Sequence, residues 1–427
     1  MVIFSDPDTE CLVGMPLYKS KHGGIGGRIK VVPEDFMVEE IPLLPSCEKY
    51  KTDNFPYNDN FTEIPPVPDF EGYDYVHFTL KKRNYDTLRA IRTISNRLNI
   101  SASRLSYAGM KDKNAVSSQQ ISLDLSPSGM QQREKIYGKL LNLSGNAIKD
   151  IVVSGFEFRK FPLYLGDLWG NDFTITIRDI SKPPEAIREN VSKILYELRG
   201  GFPNFYGLQR FGDVRPITHL VGKKMLCGDF FEAVRIYLCD VYEGESDENK
   251  SVRQYLSDTM DFPGALKRFP KSMGYELSML NFLIQHPGDY RGAIEQLPEG
   301  LRTMFVHAYQ SYIFNRALSE YIRRDIPVEF LPLAADGTMV DEITGEILKK
   351  EGIYDNVKID VGEFAGNYNG LLRRCFEFPR NFEIISIEDD EIFEGKFKLK
   401  VKFALRKGCY ATVFLREIMK GGKVSEG

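Results

Sequence analysis

Residues 107–120 read Tyr-Ala-Gly-Met-Lys-Asp-Lys-Asn-Ala-Val-Ser-Ser-Gln-Gln. One carboxylate, Asp112, stands between Lys111 and Lys113 just past Gly109. A run with Val116, Ile121, Leu123 and Leu125 at strand-like spacing follows it. Flanking cations favour the ionised form of an acid, so the pattern predicts a low carboxylate pKa. Such a group beside a glycine turn can serve as a nucleophile or a proton acceptor. The competing reading is a solvated surface turn in which Asp112 pairs with its sequence neighbours.

Outward from this turn the chain alternates strands and helices. Residues 28–41 read as a strand broken by a Pro-Glu-Asp turn, and 73–81 as a second strand. Residues 86–99 place Leu88, Ile91, Ile94 and Leu98 on one helical face. A weaker strand is expected near 150–158, and 173–180 alternate cleanly through Phe173, Ile175 and Ile177. Pro183-Pro184 open a helix over 184–199, which Gly200-Gly201 close. From about 205 to 370 the texture is mostly helical, as in 228–238 and 303–323, with an acidic loop at 243–249. Strand signal returns at 382–387 and 396–405. Sheet, helices, then sheet predict a helical domain inserted into an α+β domain. Residues 47–72, rich in Pro, Asn, Asp and Tyr, read as an inserted loop of unassigned purpose.

The bulk numbers set bounds. A chain of 427 residues predicts roughly two or three domains. With 42% hydrophobic and 27% charged residues it has the composition of an ordinary soluble protein. No run approaches the about 20 apolar residues of a membrane span, and the first ten residues lack a secretion signal's basic start and apolar stretch. Six scattered cysteines without a CxxC pair suit a reducing cytoplasm. The net charge of -4 confines any nucleic-acid surface to a local patch. The five histidines show no metal-ligand spacing, and there is no GxSxG, HExxH or Walker A motif. The glycine-rich stretch 22–28 lacks a phosphate-loop ending and reads as a flexible hinge. The acidic run 388–391, between apolar runs, reads as a solvated hairpin turn rather than a cation site.

Four further stretches accompany the Asp112 segment. Residues 30–40 read Lys-Val-Val-Pro-Glu-Asp-Phe-Met-Val-Glu-Glu, and 166–173 read Gly-Asp-Leu-Trp-Gly-Asn-Asp-Phe. Residues 201–212 read Gly-Phe-Pro-Asn-Phe-Tyr-Gly-Leu-Gln-Arg-Phe-Gly, and 408–417 read Gly-Cys-Tyr-Ala-Thr-Val-Phe-Leu-Arg-Glu. Together, in order and across nearly the whole chain, the five resemble the TruD family of tRNA pseudouridine synthases.

The resemblance implies an α+β fold: a permuted pseudouridine synthase core, a mixed and mainly antiparallel sheet with flanking helices. A mostly helical, family-specific domain is inserted in it. The implied division is residues 1–202 and 374–427 for the catalytic domain and 203–373 for the insertion. The implied reaction converts a uridine, expected to be uridine 13 in the tRNA D-arm, to pseudouridine, without metal or organic cofactor.

Carried over residue by residue, Asp112 matches the family's catalytic aspartate, as nucleophile or base. Lys30 matches a basic residue that would hold Asp112 ionised, although taken alone it reads as a surface strand lysine. Asn171 would read a base edge or a ribose hydroxyl, and Phe173 would line the pocket. Phe36 matches the motif aromatic, and Tyr410 occupies the position of an aromatic set against the uracil, where bacterial members tend to have Phe. Ser117 stands where Thr is usual. Gln119, Arg416 and Glu417 read as structural supports.

The expected partner is tRNA, with no membrane, no protein partner implied, and a monomer in the cytoplasm. A uridine in folded tRNA has to leave its stack, a cost that stacking on Tyr410 and Phe36 would offset. Lys396, Lys398, Lys400 and Lys402 alternate with apolar residues, which fits either a phosphate-tracking stripe or an edge strand guarded by lysine. Lys81-Lys82-Arg83, Arg373-Arg374 and the turn at Gln209-Arg210 are further candidate RNA contacts. A tRNA-binding chaperone with little or no catalysis is the alternative function. A glycosidase, which would draw a second carboxylate from Glu34, Asp35 or Glu39, ranks behind it.

Overall fold

The alternating residues about Asp112 form a long strand at the centre of a mixed sheet. In the computed structural model, residues 3–4, 9–43, 70, 72–334, 339–353, 372–421 and 423–424 are described; almost all of the predicted loop 47–72 lies outside them. Two units separate by packing. One comprises Ile25–Val191, Pro379–Ala411 and Gly422–Gly427, the other Met1–Gly24, Ser192–Phe378 and Thr412–Gly421. Grouping by packing thus puts residues 1–24, 192–202, 374–378 and 412–421 with the helical segment.

The first unit is built on a sheet with eleven strands among the described residues. In chain order these are β1 (Arg28–Ile29), β2 (Phe36–Pro42), β3 (Tyr75–Arg83), β4 (Leu105–Tyr107), β5 (Val116–Asp124) and β6 (Gly145–Ile148). They continue with β7 (Ile151–Arg159), β8 (Leu168–Ile180), β9 (Arg380–Asp389), β10 (Phe397–Arg406) and β11 (Lys423–Val424). The main path runs β9-β10-β8-β2-β5-β3-β7-β6, with β4 on β5, and β1 joining β8 to β11. Among the described strands only β2–β5 and β1–β11 pair in parallel.

Helix α1 (Thr87–Leu98) is capped by the Asp86 carboxylate, which accepts from Arg89 N–H, and ends at Asn99 in the left-handed region. Its apolar stripe Ile91, Ile94 and Leu98 joins α2 (Met130–Leu141) and the inward residues Val76, Phe78, Leu80, Ile121 and Leu123 in one core. The sequence reading misses α2, whose buried residues Ile136, Tyr137 and Leu140 all lie in its second half. Helix α3 (Pro184–Glu197) follows the strand β8.

Two sequence expectations change here. The acidic run 388–391 does lie at the hairpin turn between β9 and β10 with Glu388, Asp389 and Glu391 exposed, but it is not solvated throughout. Asp390 is buried, and its carboxylate accepts from Arg178 at 3.0 Å and from the Asp179 N–H at 2.9 Å. Nor is β10 an edge strand, since it lies between β9 and β8. Its lysines share the face of Thr174 and Thr176, opposite to Phe173 and Phe403. There Lys398 pairs with Glu391 at 2.6 Å and Lys402 with Asp172 at 3.5 Å. Carboxylates of the protein itself therefore take up much of the stripe.

In the second unit a helical core gathers Val221, Met225, Val234, Leu256, Met279, Leu280, Leu283 and Phe305. Its longest helix, Glu299–Arg324, carries buried Asn315, which donates to Val13 O at 2.9 Å and Tyr206 O at 3.0 Å. The expected acidic loop 243–249 is partly helical, because Ser246 caps a helix over Asp247–Thr259. Arg416 and Glu417 lie in the helix Ala411–Met419 and act as supports: Arg416 donates to Met15 O and Leu17 O, and Glu417 accepts from Lys19 N–H and Ser20 N–H.

Candidate active site

The segment 109–115 has no regular structure of its own, so its shape comes from side chains that reach its backbone. Gln119 Nε2 donates to Gly109 O at 2.9 Å, and Lys111 N–H donates to Thr87 Oγ1 at 3.2 Å. Lys82 Nζ donates to Asp112 O at 2.8 Å and to Lys111 O at 3.3 Å. Asn114 Nδ2 donates to Lys30 O at 3.2 Å, which ties this loop to the segment before β2.

Lys82 is buried, so it is not the exposed phosphate contact that its basic neighbours suggest. Strand alternation places it on the inward face with Val76, Phe78 and Leu80. Burial pulls its ammonium pKa down to about 8, opposed by the nearby charges of Asp112 and Asp86 and reinforced by Lys111.

The charge arrangement differs from a Lys-Asp-Lys surface turn. Lys111 turns inward and pairs with Glu40 at 2.5 Å, both side chains being nearly inaccessible. The partner of Asp112 is Lys30, whose Nζ lies 2.7 Å from Asp112 Oδ2. The Lys30 side chain is 7% exposed, whereas that of Asp112 is 42% exposed. Lys30 is therefore not a surface strand lysine. Its φ of 60° puts a non-glycine residue in the left-handed region, a conformation costing about 1–3 kcal/mol that persists only where the surroundings enforce it. Its ammonium also sits 4.5 Å from the centroid of the Phe36 ring.

Phe36 leads into an aromatic series across the sheet. It meets Phe173 edge-on at 6.0 Å, and Phe173 stacks on Phe403 at 5.5 Å. The series follows from register, because Phe173 lies opposite Val38 on one side and Phe403 on the other. Asn171 is two residues back on the same face, opposite Glu40 and Leu405. Its side-chain Oδ1 is buried without a hydrogen-bond partner, as is Ser117 Oγ; buried polar atoms of this kind are rare in folded proteins. Gly170 just before it is required by close packing, since a Cβ there would lie 2.0 Å from Leu405 O.

A chain of contacts thus runs from Asp112 through Lys30 and Phe36 to Phe173. Asn171 shares their face further along β8. Tyr410, half-buried, follows the turn after β10 and stands immediately before the helix Ala411–Met419. Sequence reasoning took Lys82 for a surface RNA contact and missed Glu40. Strand alternation could have found both, because each continues an inward apolar series: Val76, Phe78, Leu80 for Lys82, and Phe36, Val38 for Glu40. Among the described residues no group of three or more His, Cys, Asp or Glu is gathered as a metal site. No helix there is long and apolar enough to cross a membrane.

A mixed sheet that presents one half-exposed aspartate to a buried lysine and a run of phenylalanines narrows the class to which the chain belongs. Residues 12–340 match the family described as tRNA pseudouridine synthase D (TruD). A Methanosarcina mazei relative, named "Probable tRNA pseudouridine synthase D", is 34% identical over 97% of this chain and 98% of its own. A Methanocaldococcus jannaschii relative, "Probable tRNA pseudouridine synthase D 1", is 34% identical over 95% of this chain and 99% of its own. A crystal structure from Methanosarcina mazei, solved under the name of the same synthase, superposes with a TM-score of 0.71 at 33% identity, covering 96% of this chain and 97% of that one. The chain belongs to the TruD family. Its fold is α+β, a permuted pseudouridine synthase core with a mostly helical insertion.

Proposed function

We propose that this chain isomerises a uridine of tRNA to pseudouridine, with Asp112 as the reacting carboxylate and uridine 13 of the D-arm as the expected target. The N1–C1′ bond breaks, the detached base turns, C1′ joins C5, the C5 proton leaves and N1 takes up a proton, so that the product is an isomer of the substrate. Asp112 serves either by attacking C1′ or by taking a proton from the sugar. The observation that carries this reading is the Lys30–Asp112 pair. A buried ammonium bonds one carboxylate oxygen at 2.7 Å while 42% of the Asp112 side chain faces solvent. The charge is thus held by the protein and offered to a ligand.

Asn171, with its unpartnered buried Oδ1, suits a donor such as a ribose hydroxyl or the uracil N3–H. Phe36 and Phe173 supply apolar walls, and Tyr410 is proposed as the stacking aromatic. All six residues fall within 1–202 and 374–427, which we take as the catalytic part, with 203–373 as the insertion that handles RNA. A single chain supplies the whole set, which supports action as a monomer, and the tRNA substrate supports a cytoplasmic setting.

The test is incubation of the full chain with unmodified tRNA, followed by pseudouridine-specific labelling read at nucleotide resolution. Wild type should modify one D-arm uridine, and Asp112→Asn should lose at least about 10³-fold in rate while still binding. Tight binding without pseudouridine from the wild type would return the chaperone reading, and release of free uracil the glycosidase.

A further inference from the structure

The stretch between β7 and β8 holds its apolar side chains out in water. Phe161 is 73% exposed, Tyr164 63% and Leu165 79%, whereas Phe156 and Phe158 just before them pack against the core. Met110, two residues before Asp112, is 68% exposed. Single exposed apolar residues are ordinary, but several within one short loop mark a contact surface.

This loop is pinned by hydrogen bonds. Phe161 O accepts from His77 Nε2 at 3.0 Å, Tyr164 N–H donates to Asp167 Oδ2 at 2.7 Å, and Asp167 N–H donates to Tyr164 O at 3.0 Å. It is also fastened to both loops that carry proposed site residues. Gly166 N–H donates to Ala108 O at 2.8 Å, four residues before Asp112. Lys407 Nζ, three residues before Tyr410, donates to Gly166 O at 2.7 Å. Lys160 and Lys407 are exposed at its two ends.

We infer that Phe161, Tyr164 and Leu165, with Met110, form a platform on which unpaired nucleobases of the RNA beside the target uridine stack; this rests on the proposed function above. Aromatic faces flanked by cations fit single-stranded RNA. The rings take bases of any identity, the ammonium groups meet phosphates, and a flipped uridine leaves neighbouring bases without a stacking partner. Continuity with the Asp112 and Tyr410 loops favours RNA over a protein partner.

The test compares the full-length double variant Phe161→Ala/Tyr164→Ala with the ring-keeping Phe161→Tyr/Tyr164→Phe, each titrated with unmodified tRNA across a salt series. The ring-less variant should bind roughly 10-fold or more weakly at every salt concentration. Its slope of log affinity on log salt should stay that of wild type, because no phosphate contact is removed. The ring-keeping variant should stay within about 2-fold, since stacking survives. Equal binding by all three proteins overturns the inference, as does equal loss in both variants. So does unchanged tRNA binding with an altered sedimentation coefficient, which would make the loop a protein interface. Failure of the proposed function looks different: wild type then forms no pseudouridine, while the affinity difference between the variants still reads the platform.

Discussion

Arg253 and Asp112 are both charged groups held by oppositely charged partners, one in each unit, and they are treated in opposite ways. Arg253 is buried, and four of its five N–H groups are bonded. Its guanidinium bonds Glu245 at 2.7 Å, Glu276 at 2.8 Å, and the carbonyls of Tyr237 and Leu238 at 2.9 and 3.1 Å. Asp112 has one ammonium partner and an open side, with an unpartnered Asn171 Oδ1 on the same sheet. A charge cluster that serves architecture leaves little for a ligand, whereas the one proposed to serve chemistry is left incomplete. Saturation of its partners separates the two better than burial or charge alone.

The contrast predicts where substitutions act. Arg253→Ala leaves the buried Glu276 carboxylate uncompensated and Glu245 with Arg215 alone, 3.3 Å away, and should cost about 3–5 kcal/mol of stability, read from the urea unfolding midpoint. An unchanged midpoint would erase the distinction. Lys30→Met should instead leave the midpoint within about 1 kcal/mol, because it removes a charge while releasing little packing. It should lower the single-turnover rate by roughly 10- to 100-fold, with tRNA affinity kept. A variant that unfolds without a rate defect in the folded fraction would make Lys30 architectural.

Two further effects are in pH, and the two units should respond at opposite ends. Burial lowers the folded pKa of His219 in the helical unit to about 4. The unfolded state then binds more protons, so stability present above pH ~6.5 is lost as pH falls toward 4, by up to ~1.4 kcal/mol per pH unit. His219→Phe should flatten that acid slope in thermal unfolding. Lys82 in the sheet unit is lowered to about 8 from 10.5. Its buried charge weighs on stability below pH 8, and that burden lifts as pH rises toward 10.5, at the same ~1.4 kcal/mol per pH unit at most. Wild type should therefore gain on Lys82→Met between pH 8 and 10. A constant gap would mean that Lys82 has the same pKa folded and unfolded, its charge carrying no burial penalty.

The strands and helices about Asp112 were legible because their inward residues are apolar at clean spacings, as in 173–177 and 91–98, although Leu88, read on the same helical face, is 44% exposed. Helix α2 was not, since the first half of Met130–Leu141 carries no apolar stripe. Of the candidate site, Lys30, Phe36, Asp112 and Phe173 come together in space, and five short motifs sufficed to nominate them. The pairing within the motif misled, because adjacent side chains on an irregular loop point apart: Lys111 serves Glu40 and leaves Asp112 to a residue 82 positions away. The left-handed backbone of Lys30 has no sequence signature at all. Lys82 was read as surface because charge outweighed periodicity, and the same bias hid the salt bridges that occupy Lys398 and Lys402.

The pairing of β8 with β10 has a consequence for biosynthesis. About 200 residues separate the two strands, so at roughly 5–20 residues per second the ribosome needs on the order of 10–40 s to deliver the partner. Throughout that interval the free edge of β8, with Phe173, Ile175 and Ile177, is open to the wrong neighbour. The nascent chain should therefore depend on holdase chaperones until β10 emerges, and slow codons in the intervening stretch should lower the yield of native protein.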